Sequence, residues 1–283
     1  MKSHLLLTFI SASVLIACSG NDEPTQDLSE KPTGSNKATC VYNNAYNEDY
    51  DPDPITLITS QAKNSYVLLE PFDPAIPAAT ITVIQSNGNE VGAYISIGTG
   101  ESWRSDFDQL KPYLVSKQWG EWEGEYFVNT TTTGIVEVMK ARIDKLAELG
   151  YDWIEFDNMD WVFDDDYRKE YGFVTTVQQG IDYSNTLCDY VHSKGMKCMA
   201  KNSTEGVSQF DGVLYESYND DKDWWDVSGA KSFLKAGKLV IINHYNESSC
   251  NKVYTDYMNE YGTDLSFICE STVTKAYVHY NDK

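Results

Sequence analysis

Positive charge is scarce in this 283-residue chain: 22 Lys and Arg stand against 43 Asp and Glu, for a formal charge of −21. Such a surface disfavours nucleic acid and anionic polymers and attracts polycations. Histidine is equally sparse, with four scattered copies, and the six cysteines match no zinc spacing. No Gly-x-Gly-x-x-Gly follows the first strand-like segment, and Gly98-Thr99-Gly100 alone makes a turn, not a dinucleotide cradle. Asp164-Asp165-Asp166 lacks the Gly and the closing Glu of a calcium loop and reads as a solvated turn. Neither a metal nor an organic cofactor is expected.

The apolar run at residues 5–16 is too short to span a bilayer stably. It follows Lys2 and His4 and ends in Leu15-Ile16-Ala17-Cys18, so residues 1–17 read as an export signal of the lipoprotein type, with Cys18 carrying the lipid. An ordinary secretory signal cleaved nearby is the alternative. Ser19 in the next position points to the outer membrane of a two-membrane cell. Residues 18–38 are polar apart from Leu28 and form a flexible tether. Lipidation of Cys18 leaves five cysteines, an odd number, so at least one stays outside any disulfide.

The remainder, 39–283, has the usual size of one α/β barrel domain. Strand patterns recur at 66–70, 90–97, 151–157, 197–201, 212–216, 239–243 and 265–269, with a shorter one at 126–129. Amphipathic helices stand between many of them. One runs through Ile135, Met139, Ile143 and Leu146 to a stop at Gly150, and another through Ile181, Ser184, Leu187 and Val191 to Gly195. Eight strands, mostly separated by helices, predict a single-domain (β/α)8 TIM-like barrel over an all-β fold or an open doubly wound sheet.

Within this pattern, Trp153, Glu155 and Asp157 share one face of a strand while Ile154 and Phe156 take the other. Acids on the inner face of an apolar strand are costly to desolvate unless they have a task. In a barrel such a strand end opens at the catalytic mouth.

The motifs resemble those of glycoside hydrolase family 114. Tyr94-Ile-Ser96-Ile-Gly98 with Glu101-Ser-Trp103-Arg104-Ser-Asp106, Trp122-Glu-Gly124-Glu125, Arg142-Ile-Asp144, Glu155-Phe-Asp157-Asn158-Met-Asp160, Lys201-Asn202, Phe210-Asp211 through Glu216, and Gly237-Lys238 follow the family's order over roughly residues 66–245. Tyr215 and Ser217 replace the Asn and Gln that flank the family's second acid. His244-Tyr245 replaces a Glu-Tyr pair, and the family's opening strand is not evident.

The resemblance implies an endo-acting enzyme that cleaves α-1,4-linked polygalactosamine, with Asp157 as nucleophile and Glu216 as acid/base. Two carboxylates in different environments can divide those roles. Glu70, Asp73, Glu155, Asp160, Lys201 and Asn202 are expected to line the substrate site, with Lys201 opposing the charge of Asp157. Tyr94, Tyr215, Tyr245 and Trp161 offer rings for stacking on sugar faces. Arg104 and Asp106 are expected to pair with each other. The implied partner is a cationic polysaccharide, and the protein is expected to act as a monomer. Two alternatives stay open: a glycan-binding lipoprotein on a non-catalytic barrel, and a glycosidase for another α-linked polymer.

Overall fold

The computed structural model describes residues 38–45, 52–72, 76–119, 122–163, 165–172, 175–218, 226–271 and 277–281. The chain divides into Met1–Thr33 and Gly34–Lys283, and every described residue belongs to the second unit. The expected leader and Cys18 lie outside the described residues, as do Asp73 and Asp164. No described helix is long and apolar enough to cross a membrane.

The chain runs β1 (Val41–Asn44), α1 (Pro52–Gln61), β2 (Tyr66–Leu69), α2 (Ala78–Ser86) and β3 (Glu90–Ser96). An excursion follows: β4 (Thr99–Glu101), α3 (Phe107–Leu110), β5 (Leu114–Gln118) and β6 (Glu125–Val128). Then come α4 (Thr133–Leu149), β7 (Trp153–Asp157), α5 (Asp165–Tyr171), α6 (Val177–Ser193), β8 (Lys197–Lys201) and β9 (Gly212–Tyr218). The chain continues through α7 (Val227–Lys235), β10 (Leu239–Glu247), α8 (Cys250–Tyr261), β11 (Ser266–Ser271) and β12 (Tyr277–His279).

Eight strands pair in parallel in the order β1-β2-β3-β7-β8-β9-β10-β11, and β12 adds antiparallel to β11. The seam is held locally: the Thr39 amide donates to Ser266 Oγ at 2.9 Å, and His279 Nδ1 donates to the Val41 carbonyl at 2.6 Å. This is the expected TIM-like barrel, with two differences in its parts. The opening strand that the sequence hid is β1. The expected strand at 126–129 is β6, Glu125–Val128, which with β4 and β5 forms a separate antiparallel sheet, order β4-β6-β5, after β3 in the chain. Asp165 and Asp166 open helix α5, where a turn was expected.

Strand alternation sorts the core into two layers. Val41, Tyr66, Leu68, Trp153, Met199, Leu214, Ile241 and Ile268 fill the barrel interior. Val67, Leu69, Ile154, Phe156, Cys198, Val213 and Ile242 face the helices instead. A strand covered on both faces loses the polar half of its pattern, which is why these segments read as apolar runs. On α4, Ile135, Met139, Arg142, Ile143 and Leu146 form the buried face, and Gly150 at φ 89° ends the helix in a left-handed turn. Helix α6 begins at a reciprocal cap between Thr176 and Gln179. Disulfides Cys188–Cys198 and Cys250–Cys269 tie α6 to β8 and α8 to β11. Buried Cys40 belongs to neither.

Candidate active site

The C-terminal ends of β7, β8 and β9 bring Asp157, Lys201 and Glu216 together above the packed interior. The Lys201 ammonium lies 3.1 Å from Asp157 Oδ2 and 3.1 Å from Glu216 Oε2, and 3.9 Å from Glu155 Oε1 below them. Lys201 and Glu155 are closed off, with side chains 4% and 0% exposed, whereas Asp157 and Glu216 retain 13% and 25%. The two acids that face the mouth are therefore the ones a substrate can reach. Burial opposes the charge on Lys201, but Asp157, Glu216 and Glu155 outweigh it and hold the ammonium well above its ordinary pKa.

Each mouth acid has its own set of donors. Asp157 Oδ1 accepts from the Asn158 amide at 2.7 Å, and Oδ2 accepts from the Tyr94 hydroxyl at 2.8 Å. Glu216 Oε1 accepts from the Tyr245 hydroxyl at 3.0 Å, which in turn accepts from Asn243 Nδ2 at 2.7 Å. Asn202 Nδ2 reaches Glu216 Oε2 at 3.4 Å, and its Oδ1 accepts from the Glu216 amide at 3.1 Å. Asn158 and Asn202 directly follow Asp157 and Lys201, and both adopt left-handed backbone, φ 61° and 64°. Asparagine tolerates that conformation better than most side chains.

The small sheet braces this centre. Asn158 Nδ2 donates to Ser96 Oγ at 2.9 Å, to Thr99 Oγ1 at 3.2 Å and to Glu125 Oε1 at 2.9 Å. Glu125 also accepts from the Thr99 hydroxyl. Burial raises the Glu125 pKa to about 8, with Glu101 and Asp157 adding to the shift against the Thr99 bond and Lys201. Sequence reasoning quoted Glu125 in a motif but gave it no role.

Behind it, Arg104 grips Glu70 at 2.5 and 2.8 Å and Glu101 at 2.8 and 2.9 Å. Arg142 from α4 holds Asp106 at 2.7 and 2.8 Å and donates to the Ser96 carbonyl at 3.1 Å. The expected Arg104–Asp106 pair is thus replaced by two others. Arg104 is taken up by Glu70 and Glu101, and Asp106 finds its guanidinium on α4.

Of the expected site residues, Asp157, Glu216, Tyr94, Glu155, Lys201, Asn202 and Tyr245 converge on one mouth. Glu70 lies at the rim but is committed to Arg104. Tyr215 does not reach the site: alternation along β9 turns it into the helix layer, where it is fully buried and its hydroxyl donates to the Asp226 carbonyl at 3.2 Å. Trp161 is buried too, and its indole donates to the Asn158 carbonyl at 2.6 Å, supporting the loop instead of facing sugar. Asp160 opens a 3-10 turn, and its side chain lies outside the described residues, as does Asp73.

The family model of glycoside-hydrolase family GH114 matches residues 34–282. A crystal structure of Aspergillus fumigatus Ega3 in complex with galactosamine superposes with a TM-score of 0.67 at 19% identity, covering 87% of this chain and 96% of that one. The glycoside hydrolase domain of PelA from Pseudomonas aeruginosa gives 0.61 at 14% identity, covering 87% and 98%. TtGalA, an alpha-galactosidase from Thermus thermophilus, gives 0.54 at 12% identity, covering 82% and 57%. No curated protein sequence matches the chain significantly. At these identities the structural likenesses establish the barrel fold.

Proposed function

The chain belongs to glycoside-hydrolase family GH114, and on that premise we propose that this glycoside hydrolase cuts within an α-1,4-linked, galactosamine-containing polysaccharide. The observation that carries the reading is the double contact of Lys201, at 3.1 Å to each of Asp157 and Glu216. It supports a paired-carboxylate centre in which one acid attacks and the other carries the proton. The galactosamine bound to the similar Ega3 supports the substrate class. So does local charge, since Glu155, Asp157 and Glu216 share one ammonium, and that negative excess favours a cationic amino sugar.

The same contact supports retention of configuration. Asp157 Oδ2 and Glu216 Oε2 cannot be further apart than twice 3.1 Å, which falls short of the roughly 6.5–9.5 Å that leaves room for an inverting water. In the first step Asp157 attacks the anomeric carbon and forms a glycosyl ester, while the leaving oxygen takes a proton from Glu216. In the second, Glu216 takes a proton from water as its oxygen attacks the anomeric carbon, the bond from that carbon to Asp157 breaks, and Asp157 leaves as the free carboxylate. Tyr94 and the Asn158 amide hold Asp157 in line by hydrogen bonds to its two oxygens. We place the reaction outside the cell, on a chain held by lipid at Cys18, because the leader ends in an apolar-apolar-small-Cys pattern.

Incubation of purified protein with partly deacetylated α-1,4-galactosaminan should release oligosaccharides with an α-configured new end, read by NMR in the first minutes. Asp157→Asn and Glu216→Gln should each lower turnover about 10³-fold or more while keeping the wild-type circular dichroism. A folded wild type that releases nothing would overturn the substrate assignment, and full activity in either variant would overturn the roles.

A further inference from the structure

The small sheet displays two indoles that the barrel leaves uncovered. Trp103, in the turn after β4, and Trp122, in the turn before β6, are 46% and 47% exposed, whereas Trp153 and Trp161 are buried. The two turns are tied to each other. The Ser102 amide donates to the Gly124 carbonyl at 2.9 Å, and a Cβ added at Gly124 would stand 3.6 Å from the Trp103 ring. The Glu125 amide donates to the Trp122 carbonyl at 3.2 Å, closing the second turn.

Both turns are also rooted in the active site. Glu101, which ends β4, binds Arg104, the residue that grips Glu70 at the mouth. Glu125, which begins β6, binds Asn158 beside Asp157. The turns that carry the indoles are thus joined, through Glu101 and Glu125, to the residues around the carboxylates. An indole left in water offers a flat apolar face to the C–H side of a pyranose ring, and its π face attracts an ammonium. The exposed side chain of Glu123 adds negative charge beside Trp122.

We propose that Trp103 and Trp122 form an outlying stacking subsite that holds a galactosamine unit of the polymer away from the bond being cut. The assignment rests on the polysaccharide reading above and extends it from the cut bond to the length of chain engaged. Stacking at a remote unit assists long chains and does nothing for a substrate too short to reach it.

The test compares full-length wild type with Trp103→Ala, Trp122→Ala and the double variant on long galactosaminan and on the shortest oligosaccharide the wild type cleaves. The double variant should lose about tenfold in kcat/KM on the polymer, a fall that one to two stacking contacts supply. On the short substrate it should stay within about twofold of wild type, by the same reasoning on remote contacts. Equal losses on both substrates, or none on either, would overturn the subsite.

Affinity of Asp157→Asn for the same polymer, with and without the two Trp substitutions, keeps this result separate from the catalytic reading. If the wild type turns nothing over but removal of the indoles weakens binding, the subsite stands and the hydrolytic assignment falls. Undiminished binding, or no binding at all, would overturn the subsite.

Discussion

One ammonium serves three carboxylates at the centre of this barrel, and removing it would take from Asp157, Glu155 and Glu216 the cation they share. Glu125 is the opposite case, an acid that the fold keeps neutral. Its pKa rises from 4.5 to about 8 on folding, chiefly through burial. The folded chain therefore holds a proton that the unfolded chain releases in that interval. The stability tied to that proton is complete below pH 4.5 and is lost as pH rises through about 8. The melting temperature should accordingly fall across that window, by roughly 2–4 °C for each kcal/mol in a chain of this size. In Glu125→Gln, which keeps an acceptor for Asn158 and Thr99, that part of the fall should vanish. Calorimetry at a series of pH values decides it, and an unchanged slope would mean that Glu125 is ionised throughout. Asp157 was legible as an acid on the inner face of an apolar strand, whereas Lys201 and Glu216 were singled out by the motifs of the family resemblance. Tyr215 was misplaced for the converse reason: it adjoins the acid in sequence, but the two-residue period sends neighbours to opposite faces. Glu125 gave no signal beyond a motif, since its burial depends on a sheet folded back over β3.

At the level of elements, the closest tolerance lies between the turn after β3 and the turn after β7. A Cβ added at Gly98 would fall 1.5 Å from the Asn158 carbonyl oxygen and 2.6 Å from its carbon. Those turns cannot separate without stretching the bond from the Ile97 amide to the Asp157 carbonyl, 3.1 Å. Where a Gly98→Ala chain folds, it should displace Asp157, lowering kcat/KM by about 10²-fold, the loss that a displacement of ~1 Å can produce. Wild-type activity in a folded Gly98→Ala chain would show that the turn yields harmlessly. In the sequence this glycine read as part of a turn and as the end of a family motif, with nothing to show what it touches, because close approach of two backbones leaves no local pattern. The same limit applies to strands. β1 is four residues long and half asparagine, so no apolar run announced it. β6 resembled a barrel strand because alternation reports which face is buried and says nothing of which neighbour is paired. The long helices α4 and α6 were plain, each with a full buried stripe and a glycine near its end.

For the whole molecule, the proposed setting is an exterior where a cationic polymer is met, a reading that the acidic balance and the apolar-apolar-small-Cys pattern at residues 15–18 support. If Cys18 carries the anchor, cells fed an alkyne-bearing fatty acid should label the wild type and send it to the membrane fraction. Cys18→Ala should lose both the label and the membrane location while keeping its activity. Retention of label in that variant would refute the anchor. The fold class was readable at this scale because repeated strand–helix alternation over about 245 residues admits few architectures. The closing of the sheet was not readable, since it depends on pairs far apart in sequence. Thr39 meets Ser266 across 227 residues, and Val41 meets His279 across 238. Neither contact can form until residues 266 and 279 have been synthesised, and contacts of such long range form slowly. Until then β1 and the last strand already formed each present a bare edge on which a second chain could add a strand. β11 and β12 thus act as the latch of the barrel, and a nascent chain cut short before them would expose both open edges of the sheet to aggregation.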